Sequence, residues 1–178
     1  MLEQYALLAA YNADMNRKLY DAAATLPAAQ WLADRKAFFG SLCGTLNHLV
    51  AADTIWLMRF ALHPAAHPAL AALRGQPIPT ALTQIYSDDL ATLTAQRRRL
   101  DATIVRFIAE LSEADLNAAL RYGNTKGVVS DKLFASVLLH FFNHQTHHRG
   151  QASTLLSQAG ADVGVTDFLA WVPNLPQR

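Results

Sequence analysis

HFFNHQTHHRGQ, residues 140–151, places four of the chain's seven histidines within nine positions, with an arginine, a glycine and a glutamine close behind. The residues around it decide how it folds. Ser136, Asn143, Thr146, Ser153 and Ser157 recur at helical spacing as a polar stripe; Val137, Phe141, Ala152, Leu155 and Leu156 recur as an apolar one opposite. This is the signature of an amphipathic α-helix. His144 and His148 fall on its inner side at i and i+4, one above the other, where two imidazoles can share one ion. His140 lies a turn back on a neighbouring line. His147 points about 100° away from His148.

Outward from that helix the chain keeps the same character. Residues 2–25 show apolar positions at helical spacing (Tyr5, Leu8, Met15, Leu19, Ala22), ended by Leu26-Pro27. A linker through Trp31 and Lys36 leads to a second helix over 41–62, stopped by Pro64 and Pro68. The proline-rich segment 64–79 reads as a crossover loop with room for one helical turn. Thr80 is the expected N-cap of a third helix, with Leu82, Ile85, Leu93, Leu100, Ile104, Phe107 and Leu111 as its core side. LNAALRYGNTKGVVSDKL, residues 116–133, carries Gly123-Asn124 and Lys126-Gly127 and predicts a hairpin-like excursion. Ser130 or Asp131 then caps the last helix, which Gly160 ends. The tail, apolar around Phe168 and Trp171, packs back on the body. The expected fold class is all-α: one four-helix-bundle domain over residues 1–178, with long crossover connections and a short irregular or hairpin-like insertion before the last helix.

Composition excludes several functions. The 178 residues are 52% apolar, enough for a real core, and the formal net charge is +1. Neither nucleic acid nor an anionic membrane is the expected partner. Arg97–Arg98–Arg99, the one block of like charge, reads as a solvated helix face. Cys43 is the single cysteine, so no intrachain disulfide or cysteine-based zinc site exists. Neither a signal-peptide layout nor a run of about 18 apolar residues occurs, and a cytoplasmic location is expected.

Two imidazoles hold a metal poorly, and a third ligand is needed. His48 is the candidate: it sits mid-helix in LNHLVAADTIW with Gly44, Ala51 and Ala52 close by on the wheel. His63 and His67, in the proline-rich loop, read as solvated. His48, His144 and His148 thus form a candidate three-histidine site with open positions, the pattern of catalytic metal centres. A hydrogen-bonded core role is the plainer alternative for each histidine alone. A ferritin-like di-iron centre is excluded, because none of the three glutamates, Glu3, Glu110 and Glu113, lies three residues before a histidine. The zinc-peptidase H-E-x-x-H motif is absent as well.

Three blocks carry a resemblance to a known family. They are AYNADMNRKLYDAAATLPAAQW (10–31), LNHLVAADTIWLMRF (46–60) and HFFNHQTHHRGQ (140–151). They resemble, in turn, the Y-N opening, the L-x-H helix and the N-H-x-x-H-H-R-G-Q signature of the DinB family, the DinB/YfiT-like metalloenzymes. The resemblance spans nearly the whole chain. It implies a helical bundle, often a homodimer, with one divalent ion per chain on His48, His144 and His148. The ion is commonly nickel or zinc, with iron or manganese as alternatives. It also implies, for some relatives, chemistry with low-molecular-weight thiols; it does not imply DNA binding, in keeping with the balanced charge.

The catalytic group is left open, metal-activated water or thiolate being expected, and so is enzyme status. A small-molecule substrate taken by S-transfer or hydrolysis is one reading. A non-catalytic, metal-stabilised stress-response bundle or binding module is the other. Asn12, Asn47, His140, His147 and Arg149 are candidates for orienting ligands or lining a pocket. Asn12 reaches inward from the first helix, Asn47 and Asp53 flank His48, and Arg149 has the charge to grip an anionic substrate. Trp56 and Tyr86 are candidates for pocket walls or core. Gly150 suggests close approach of a neighbouring helix, with Gln151 bonding across that contact.

Overall fold

The computed structural model describes residues 1–79, 83, 85–124 and 126–174. It is mostly helical with one small two-stranded sheet. Helix α1 spans Leu2–Ala23, α2 Ala28–Leu32, α3 Leu42–Phe60, α4 Leu90–Ala109, α5 Glu113–Leu116 and α6 Phe134–Gln158. Single 3-10 segments lie at Pro68–Leu73 and Phe168–Trp171. Strands β1 (Ala119–Gly123) and β2 (Val129–Leu133) pair antiparallel, Ala119 opposite Leu133 and Gly123 opposite Val129. α1 packs on α4 and α6, and α3 packs on the same two helices.

The hairpin is a true sheet, which a purely all-α label omits. Asn124 makes its turn: Oδ1 accepts from the N–H of Lys126 (2.8 Å) and of Val128 (3.0 Å), and Gly127 takes φ 78, backbone that favours glycine. Ser130 and Asp131 therefore cap nothing. They sit in β2 opposite Tyr122 and Arg121, and α6 starts at Phe134, whose N–H donates to Ala118 O at 2.9 Å.

The expected start of the third helix at Thr80, and the core role of Leu82, lie outside the described residues. Among those described, α4 begins at Leu90. Asp89 caps it by accepting from Thr92 N at 2.8 Å. Ile85 is 55% exposed and not core. The reason lies on α3. Asn47, fully buried, accepts from the N–H groups of Tyr86 (2.7 Å) and Ser87 (3.2 Å) and donates to Ser87 O at 2.9 Å. Those groups are spent on a tertiary contact and do not enter a helical ladder.

The interior has three zones along the helices. One apolar cluster holds Tyr5, Trp56, Leu57, Phe60, Ile104, Phe107, Leu138 and Phe141. The other holds Leu19, Leu42, Leu46, Leu49, Leu93, Ala152 and Leu156. Between them each long helix contributes buried polar residues: Asn12 and Asn16 from α1, Asp53 from α3, Arg97 and Asp101 from α4, Gln145 and Arg149 from α6. Buried polar groups persist where they bond one another. Arg97, expected on a solvated face, is 2% exposed. Its Nη1 donates to Asp53 Oδ2 at 2.6 Å, and its Nη2 lies 2.9 Å from Asp101 Oδ1. Asp101 also accepts from Asn16 Nδ2 at 2.9 Å and Asn12 Nδ2 at 3.4 Å. Burial pushes its carboxyl up to about 6, against the pull of Arg97. Arg98 and Arg99 do face solvent.

The tail packs on α1. Tyr11 Oη donates to Thr166 O at 2.6 Å, and the rings of Phe168 and Trp171 stand edge-on to Tyr11.

Candidate metal centre

The polar zone reaches its edge at three imidazoles. α3 supplies His48; α6 supplies His144 and His148 one turn apart. One ring nitrogen from each lies within 4.8 Å of the other two. His148 Nε2 is 3.2 Å from His48 Nε2 and 3.1 Å from His144 Nε2. Tetrahedral metal–nitrogen bonds of about 2.0–2.1 Å would set such nitrogens roughly 3.3 Å apart, so the spacing fits a shared cation.

The protonation state fits too. Burial, then the neighbouring rings of His148 and His48, hold His144 down to about 3. Burial likewise lowers His148, which is 9% exposed. Both stay neutral near pH 7, with a lone pair free. Gln151 fixes which one. Its Oε1, a pure acceptor, lies 2.8 Å from His148 Nδ1. The ring's proton therefore sits on Nδ1, and the Nε2 lone pair faces the other two histidines. Gln151→Leu is expected to weaken divalent-ion binding by about 10–100-fold with the helical circular dichroism unchanged. Titration against a competing chelator measures it, and an unchanged affinity would mean the tautomer is set elsewhere.

Phe39, not singled out from sequence, lies parallel to His48, ring centroids 4.0 Å apart and planes 18° apart, with its edge toward His148 at 5.5 Å. Its place depends on Gly44. A Cβ there would meet Phe39 O at 2.1 Å. Gly44→Ala should therefore cost about 1–3 kcal/mol in strain, more than the ~1 kcal/mol alanine gains over glycine in a helix. Urea unfolding checks the sign, and a stabilised variant would show that the Phe39 turn moves away freely.

The other candidates fall elsewhere. Asn47 staples the 86–87 segment, as described, and orients no imidazole. Asp53 pairs with Arg97 and does not face solvent. Asn12, 1% exposed, lies between Asp101 and Arg149 Nη1, to which its Oδ1 bonds. Arg149, 6% exposed, also reaches Thr146 Oγ1 at 3.1 Å and lies over the Tyr11 ring. It is an interior tie between α1 and α6, spent before any anion arrives. His140 is exposed, with its ring 6.0 Å from His144 and edge-on to Trp56 at 5.2 Å. His147 is exposed, its Nε2 3.4 Å from Gln151 Nε2. Gly150 meets nothing within 4 Å of a built Cβ, so no helix approaches closely there. Gln151 serves His148 instead. His63 and His67, expected in solvent, are buried.

Beside the centre, Trp56, Tyr122, Lys132, Ser136, Val137 and His140 line a cavity of about 320 Å³. Arg59 stands behind it, 6% exposed, with its guanidinium 4.7 Å from the Trp56 ring centroid and 5.2 Å from that of Tyr122. No described helix is long and apolar enough to cross a membrane.

A family model described as the DinB family matches residues 1–174. A curated relative, Protein DinB of Bacillus subtilis (strain 168), is 25% identical over 158 residues, covering 89% of this chain and 87% of the relative. No solved structure gives a significant match.

Proposed function

As the chain belongs to the DinB family, we propose that it is a metalloenzyme holding one divalent ion, nickel or zinc, on His48, His144 and His148. The observation that carries this is the convergence of three imidazoles across α3 and α6. The group contains three protein donors and no fourth among the described residues, which supports an open, reactive site over a closed structural one.

A divalent ion there supplies Lewis acidity and favours the anionic form of a thiol or water. The chain's residues do the rest. Gln151 keeps the His148 proton on Nδ1. Phe39 covers one face of His48 and keeps water from it. The cavity under Trp56, Tyr122 and His140, one helical turn from His144, has the size for the organic part of a small substrate. Lys132 at its wall offers a positive charge to an anionic group on that substrate. No carboxylate among the described residues joins the three-histidine cluster, which fits a nucleophile that loses its proton to solvent, and so a low-molecular-weight thiol transferred to an electrophile. Hydrolysis is the second chemistry this site supports.

A homodimer in the cytoplasm, without nucleic-acid or membrane partners, completes the proposal. The test is turnover of thiols with a chromogenic electrophile by ion-loaded wild type and by His48→Ala. Thiol consumption lost in the variant supports the proposal. Equal rates in both would sink it and leave a metal-stabilised binding module.

A further inference from the structure

A second cluster of donors lies outside this centre. His63 follows the end of α3, His67 precedes the 3-10 segment at Pro68, and Asp115 belongs to α5. One donor atom from each lies within 4.8 Å of the others. The two histidines are 4% and 5% exposed. Their ring centroids are 5.2 Å apart, with His63 against Phe134 (4.7 Å) and His67 edge-on to Phe107 (5.3 Å).

Core phenylalanines leave little for a polar ring to bond. His67 Nε2 is buried without a hydrogen-bond partner among the described residues, a state that folded proteins avoid because desolvation is not repaid. Asp115 accepts through Oδ2 from the N–H and Oγ of Ser112, and no hydrogen bond among the described residues engages its Oδ1. Ala66 adopts φ 56, left-handed backbone that disfavours alanine, and the turn it makes brings His67 back beside His63.

We propose that His63, His67 and Asp115 form a second divalent-cation site, separate from the three-histidine centre, which ties the loop after α3 to α5. Two imidazoles and one carboxylate suit zinc or a similar borderline cation. The ion gives the orphaned His67 nitrogen a partner and uses the free lone pairs of Asp115.

His63 limits the affinity. Its Nδ1 accepts from Ala65 N at 3.2 Å while its Nε2 faces Asp115 O at 3.3 Å. A cation on Nε2 moves the ring proton to Nδ1 and gives up the bond from Ala65. The exchange releases no proton, but it makes this the weaker of the two sites.

Zinc alone is the probe, titrated into metal-free full-length protein and counted after gel filtration. Wild type should hold two ions per chain, His48→Ala one, His67→Gln one and Asp115→Asn one, with unchanged helical circular dichroism. A count unaltered by both His67→Gln and Asp115→Asn would overturn the site. If only the three-histidine centre fails, wild type holds one ion, lost in His67→Gln and kept in His48→Ala. Imidazole ¹⁵N spectra of the wild type supply a readout that needs no variant. The second equivalent of zinc should move the His63 and His67 resonances, and their failure to move would likewise refute the proposal.

Discussion

His144→Ala should lose the ion of the three-histidine centre while remaining folded. The side chain supplies one of three donors, and its Nδ1 is buried without a partner among the described residues. Truncation therefore removes a ligand and no supporting hydrogen bond from that nitrogen. Losing only an orienting partner weakens a site by about 10–100-fold; losing a ligand should exceed that. Metal counted by mass spectrometry after gel filtration should fall by one equivalent, as in His48→Ala. His147→Ala should keep the ion. Stability gives a second readout. An ion at a hundredfold excess over its Kd stabilises by about 2.7 kcal/mol, on the order of 5–10 °C in the melting temperature of a chain this size. The part of that shift due to this centre should vanish in His144→Ala. Full retention of the ion would mean that the three rings only pack.

Asp53→Ala should be the most destabilising single change in the polar zone. Asp53 is fully buried and its partner Arg97 is 2% exposed. With the carboxylate gone, Arg97 keeps only Asp101, whose Oδ1 sits 2.9 Å from Nη2 and is shared with Asn16 and Asn12. A buried charge stripped of its partner costs about 3–5 kcal/mol. Urea unfolding should show that loss. The replacement Asp53→Leu with Arg97→Met and Asp101→Asn should cost much less, because it leaves no buried charge without its partner. A triple replacement as damaging as the single one would show that the zone works by shape. The consequence extends to the metal centre. Asp101 bonds Asn12, Asn12 bonds Arg149, and Arg149 neighbours His148 on α6, so the network sets how α6 sits against α1 and α4.

Much of this was legible in the sequence because it is local. The i, i+4 spacing of His144 and His148 needs only a helix to bring the rings together. His48 followed from its place on a helix built of small and apolar residues. The glycine-asparagine turn at 123–124 announced the hairpin. What the sequence does not reveal depends on partners distant in the chain. Three consecutive arginines point three ways on a helix, and nothing local says that Arg97 is the one meeting Asp53, 44 residues away. Asn47 beside His48 looked like a ligand's helper, yet its amide is spent on Tyr86 and Ser87. A proline-rich loop reads as solvated, and that reading puts His63 and His67 in water. The structure folds that loop down onto Phe107 and Phe134.

Local patterns are enough for the helical character, the hairpin before the last helix and the inward faces on which His48, His144 and His148 lie. Each follows from periodicity or turn chemistry within a few residues. Which polar side chains are buried together is settled by long-range packing. Burial of a charge is favourable only when a partner arrives from another helix, and that meeting is set by packing of the whole chain. The Asp53–Arg97–Asp101 zone, the Phe39 ring over His48 and the His63–His67–Asp115 cluster are all of that kind.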